Sequence, residues 1–143
     1  MQGPTRNLLN QVYQDARMGA AAIELLQPLC LPPEFRKHID EQLKGYTQIY
    51  LDALGRLSDR NLPPARVPMM ARMGLWMSTK KNLWHNQSTD HLAGMMIQGN
   101  MMGVISMTGV LRQSQGADED ALQLGQRLLE AEQAHIDDMR AFL

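Results

Sequence analysis

Only one cysteine, Cys30, occurs in 143 residues, so no disulfide can form within the chain. Aromatic side chains are few, with 2 Trp, 3 Tyr and 2 Phe, and β-branched residues are sparse; both scarcities disfavour strands. Neither sign of charge prevails. Against 14 basic residues stand 15 acidic ones, and the longest like-charged run is Asp118-Glu119-Asp120. A basic face for nucleic acid or acidic lipid is therefore not expected. The opening MQGPTRNLLNQVYQDAR lacks the basic, apolar and cleavage regions of a signal peptide, so the expected location is the cytoplasm.

What the chain has instead is aliphatic, flexible apolar content, including 12 methionines. This favours helices, and the size suits one domain, 1–143, able to bury most of its apolar surface. Over residues 5–27, Leu9, Val12, Ala16, Ala20, Ile23 and Leu26 recur at three- and four-residue steps, the pattern of an amphipathic helix. Pro28 ends it. Phe35, Ile39, Leu43, Tyr46, Ile49, Ala53 and Leu57 trace a second stripe over 34–58. So short a connection makes the two an antiparallel hairpin.

Three prolines in SDRNLPPARVP interrupt the periodicity, after which Met69, Met70, Met73, Trp76 and Met77 share one face of a predicted short helix, 68–79. Ser88 is the expected N-cap of a helix over 89–113, and a last helix is predicted over 118–142. Two hairpins joined by one long connection give an all-α expectation: a ferritin-like four-helix bundle whose crossover carries a short extra helix. An irregular five-helix bundle is the alternative.

Within the fourth segment, HLAGMMIQGNMMGVISMTGVL has no Asp, Glu, Lys or Arg between Asp90 and Arg112. A helix apolar on every side is buried or spans a membrane. Gln98 and Asn100 near its midpoint, and the lack of flanking basic clusters, favour the buried reading. Gly94, Gly99, Gly103 and Gly109 are expected to admit neighbouring backbones, with Gly99 and Gly103 as the close-packing pair. Since a four-helix bundle seldom needs one helix apolar all round, a homodimer or another protein partner is expected on its remaining face.

Nine of the methionines lie between Met69 and Met107. Thioethers suit Cu(I), and Met95, Met96, Met101, Met102 and Met107 could converge with the short helix on a copper ion. Core packing or an adaptable partner surface accounts for the same residues.

The last helix carries Glu132 and His135 on its apolar side, beside Leu128 and Ile136. Glu-x-x-His is half of a carboxylate-bridged di-iron site. No other histidine has an acid three residues before it, since His38 follows Phe35, His85 follows Asn82 and His91 follows Ser88. Depth counting sets Glu132 level with Gly19, with Gln42 or Tyr46, and with Gly99 to Gly103. A buried polar cluster of Gln42, Tyr46, Asn100, Glu132 and His135 follows. Within it Glu132 must be neutral, paired with protonated His135 or another donor, or bound to a cation. If a metal ion such as iron or copper is held, Glu132 and His135 are the expected ligands and Glu24 the best further carboxylate. Glu34 with His38 reads as a surface pair, and Cys30 shows no activating neighbour. No nucleophile triad, phosphate loop or dinucleotide fingerprint occurs.

At its last two helical segments the chain resembles a ferritin-like family of unknown function, sometimes found with copper-resistance proteins. That family's pattern runs Met-Ile-x-His-His, later Met, then Gln-x-x-Glu-Ile-x-x-Met-x-x-Trp-Leu. Met96, Ile97 and Met107 match its first part, and Ile136, Met139, Phe142 and Leu143 track its second. The paired histidines are replaced by Gly99 and Asn100, its Gln by Glu132 and its Glu by His135. The resemblance implies a shared bundle fold whose polar positions fall on these four residues.

Overall fold

The computed structural model describes residues 3–64 and 88–143. Among the described residues every regular element is helical: α1 (Gly3–Leu26), α2 (Pro33–Asp59), α3 (Thr89–Gln113) and α4 (Glu119–Arg140). These match the helices expected from periodicity to within two residues at each end. The short helix expected over 68–79 lies outside the described residues.

Local chemistry sets the ends. Pro33 opens α2, where its fixed φ and missing N–H cost nothing. At the other end Asn61 takes a φ of 56°, Leu62 N–H donates to Leu57 O and Asn61 N–H to Ser58 O. This is a Schellman stop, with Asn supplying the left-handed residue. Ser88 occupies the N-cap position of α3 but makes no capping bond. Its hydroxyl serves the Asp90 carboxylate instead, which holds that acid below its usual range. The first turn of α4 is tied to another helix, because Asp118 N–H donates to buried Thr5 Oγ1 at 2.8 Å.

Helix directions follow from these contacts. Thr5 meeting Asp118 sets the starts of α1 and α4 at one end of the bundle. Arg56 and Arg60, at the end of α2, bond Asp120 there. Leu111, near the end of α3, packs at Gly125 together with Leu8. At the opposite end Phe35 stacks edge-on against Phe142. Thus α1 and α4 run parallel to each other and antiparallel to α2 and α3. The main packing is α1 on α2 and α3 on α4, with α4 also against α1 and α2, and α1 against α3.

The core follows the stripes. Leu8, Leu9, Val12, Ala16 and Ile23 of α1 meet Phe35, Ile39, Tyr46, Ile49 and Leu57 of α2, Leu92, Met95 and Met107 of α3, and Leu124, Leu128 and Met139 of α4. No described helix is long and apolar enough to cross a membrane. The apolar circumference of α3 is only partly used: Met101, Met102 and Ile105 are 47%, 56% and 69% exposed.

Candidate functional site

Near the middle of the bundle the helices contribute a polar layer to the core. Gln42 and Tyr46 of α2, Asn100 of α3, and Glu132 and His135 of α4 are all buried, as the helical periods predicted. Tyr46 is the hub. Its hydroxyl donates to Asn100 Oδ1 at 3.0 Å, and its ring meets the His135 imidazole edge-on with centroids 4.9 Å apart. The Glu132 carboxyl also hydrogen-bonds Tyr46.

Two glycines make room for this layer. A Cβ at Gly19 would lie 2.5 Å from the Tyr46 ring, and one at Gly103 would lie 2.5 Å from Glu132 Oε2. Gly103 therefore admits a side chain rather than a helix backbone. The expectation for Gly99 is corrected, because a Cβ there would meet nothing within 4 Å, and the same holds at Gly94 and Gly109. Among the described residues no neighbour is close to α3 at those three positions.

Burial decides the protonation states. The Glu132 carboxyl is pushed up to about 8 by burial first, with the nearby Asp15 charge adding and the Tyr46 hydrogen bond opposing. His135 is pulled down to about 4 by burial. Near neutral pH both side chains are mostly uncharged, so the possible ion pair between them is not what the fold builds. Burial, then the Glu132 and Asp15 charges, raise Tyr46 well above its ordinary range.

One hydroxyl proton cannot be given to two acceptors. With Glu132 protonated, its O–H donates to Tyr46 Oη while Tyr46 donates onward to Asn100 Oδ1, a chain of two bonds with one direction. Once Glu132 is ionised it can only accept, Tyr46 must turn its proton to the carboxylate, and Asn100 Oδ1 loses its donor. The tyrosine thus couples the charge of α4 to the hydrogen bonding of α3. Around it, Gln42 Nε2 and Oε1, Asn100 Nδ2 and His135 Nδ1 have no hydrogen-bond partner among the described residues.

Asp15 of α1 is the member that the helical wheel missed. It is half-buried, accepts from Gln11 Nε2 and Ser106 Oγ, each at 2.9 Å, and acts electrostatically on both Glu132 and Tyr46. The available signal was its spacing of four residues from Gly19, which puts it one turn from the notch that receives the Tyr46 ring.

Other expected ligands disperse. Glu24 is exposed, and among the described residues no three His, Cys, Asp or Glu side chains come together as a metal site. Glu24 is therefore not brought together with Glu132 and His135 among the described residues. The α3 methionines do not converge either: Met95 and Met107 are core residues, whereas Met101 and Met102 face outward. Met69 to Met77 lie outside the described residues, as does His85. His38 Nδ1 lies 3.9 Å from Asp138 Oδ2, so its acidic neighbour is on α4 rather than Glu34. Cys30 is exposed and free.

This layer can hold a proton and relay its position between helices; it offers no nucleophile with an adjacent base. Compared with protein-family models, curated proteins and solved structures, the chain has no match.

Proposed function

We propose that the chain is an interaction module: a four-helix bundle of ferritin-like arrangement, lacking a complete di-metal site, that docks a protein partner through the outer face of α3. The observation that carries this reading is the exposure of Met101, Met102 and Ile105 within a stretch that has no Asp, Glu, Lys or Arg from His91 to Leu111. Scattered exposed apolar residues need no cause, but a grouped, uncharged patch marks a contact surface. Methionine suits such a surface because its side chain adapts to the shape opposite. The parallel run of α2 and α3 supports the ferritin-like arrangement, since that pair has to be joined by a long crossover.

The test is the size of the species formed in extracts of the producing cells by tagged wild type and by Ile105→Glu, read by cross-linking and native electrophoresis. A species larger than the monomer, lost in the variant, is expected. An identical pattern for both proteins overturns the reading.

A metal-handling role is favoured by one observation, a buried carboxyl three residues before a buried imidazole. It requires further ligands beyond Glu132 and His135. Elemental analysis of protein purified without chelator decides it: stoichiometric iron or copper lost in both Glu132→Gln and His135→Ala supports the role, and no metal in any sample removes it.

A further inference from the structure

We infer that the partner on the outer face of α3 is a second copy of this chain, with the two α3 helices antiparallel and crossing at Met101 and Met102; this rests on α3 being the docking face. The outward stripe reads Asp90, Gly94, Gln98, Met101, Ile105, Gly109 and Arg112, spaced at three- and four-residue steps so that all seven fall on one side of the helix. It is self-complementary. Asp90 and Arg112 lie equally far to either side of Met101. Gly94 and Gly109, and likewise Gln98 and Ile105, lie symmetrically about the point between Met101 and Met102.

A two-fold axis at that point sets Gly94 of one copy opposite Gly109 of the other, so small residues meet at both ends of the seam and the large exposed side chains meet at its centre. A Cβ at either glycine would meet nothing within 4 Å among the described residues, which leaves space for a neighbour there. The axis also brings Asp90 of one copy to within one residue of the level of Arg112 of the other, twice by symmetry. A parallel pairing would instead juxtapose like charges at each end, which opposes association.

The cleft at the start of α3 fits the same arrangement. It encloses about 500 Å³ and is bordered by Asp90, Gly94, Gln98 and Leu143. In the antiparallel register the end of the second copy's α3, carrying its arginine at position 112, arrives over this cleft. Asp90 stands exposed at its border, with the carboxylate that an exposed aspartate carries near neutral pH. The seam is one helix wide and ~33 Å long at 1.5 Å per residue. That is narrow beside the ~800 Å² per partner of a standard stable interface, so association is expected in the micromolar range or weaker.

The experiment uses purified full-length chain in a Cys30→Ser background. Sedimentation from micromolar to millimolar concentration is expected to show a monomer–dimer equilibrium. Arg112→Glu is expected to weaken it roughly tenfold, and adding Asp90→Arg in the same chain to restore it. On mild oxidation Met101→Cys is expected to cross-link with itself, and Gln98→Cys with Ile105→Cys when those two variants are mixed.

A monomer at every concentration, no rescue by the double reversal, or efficient self-cross-linking of Gly94→Cys and Gly109→Cys overturns the antiparallel pairing. If the purified chain is monomeric while the larger species in extracts still depends on Ile105, only this inference falls. If that species is also independent of Ile105, the docking face falls with it.

Discussion

Glu132 should make the fold lose stability as the solution turns alkaline, and replacing it by glutamine should abolish that loss. Its carboxyl titrates at about 8 in the fold against an ordinary 4.5. Between those values the native state holds a proton that the unfolded chain has released. Stability is therefore full below 4.5 and is lost as pH rises through the folded value, at about 1.4 kcal/mol per pH unit. His135 runs the other way: it titrates at about 4 in the fold against 6.5, so its contribution grows as pH rises from 4 to 6.5. The two slopes cancel between 4.5 and 6.5. Above 6.5 Glu132 acts alone, and up to pH 8 the fold loses about 2 kcal/mol. With a urea m-value of about 2 kcal/mol/M, that is a fall of about 1 M in the midpoint. Urea titrations at pH 6 and pH 8.5, both below the range in which Tyr46 ionises, measure it. In Glu132→Gln the alkaline fall should vanish, and only the gain between pH 4 and 6.5 due to His135 should remain. A wild-type midpoint that does not move between the two pH values, or a Glu132→Gln protein that falls as far, would refute the reasoning.

Three further outcomes are expected in the same urea assay. Gly103→Ala should destabilise by about 1–3 kcal/mol because its Cβ meets Glu132 Oε2, whereas Gly99→Ala, with open space around it, should be neutral or gain up to about 1 kcal/mol from helix propensity; equal costs at both would contradict the packing. Tyr46→Phe should cost about 1–3 kcal/mol by removing the donor to Asn100 Oδ1 and the partner of Glu132, and should extend the alkaline fall to higher pH, its onset unchanged, because the hydrogen bond that lowers the Glu132 value is gone. Thr5→Val should cost about 1–3 kcal/mol by orphaning the Asp118 amide, and a midpoint equal to wild type would show that the first turn of α4 does not depend on α1.

The helices, and the burial of Gln42, Tyr46, Asn100, Glu132 and His135, were legible because a 3.6-residue period fixes which side of a helix a residue occupies. The pairing inside the layer was not, because side-chain reach and the separation of helices at a given level carry no period. Glu132 and His135 share a face at i and i+3, yet Glu132 lies against α3 at Gly103 while His135 turns its ring to Tyr46. Gly99 and Gly103 are equally small and one turn apart, but only the second lies where a neighbour's side chain comes close. Asp15 escaped for the opposite reason. A half-buried acid on an otherwise ordinary amphipathic helix resembles a solvated one until Ser106 and Glu132 are seen beside it. The end of α2 shows how a true boundary can rest on the wrong residues: prolines marked the interruption, but Asn61 in the left-handed region makes the stop.

The buried polar layer and the proposed docking face divide the circumference of α3. Asn100 and Gly103 face inward, where the first accepts the Tyr46 proton and the second makes room for Glu132. Met101, Met102 and Ile105, in the same two turns, are exposed. A core helix of a four-helix bundle needs only its inward side apolar, and the outward methionines and isoleucine are the side chains on which the proposed docking face rests. The inward side carries a polar layer where an apolar one would pack at lower cost, since an unmade buried hydrogen bond forfeits about 1–3 kcal/mol. The docking face proposed for the outer side of α3 and the Tyr46 link between Glu132 and Asn100 on its inner side thus lie on opposite sides of the same two turns.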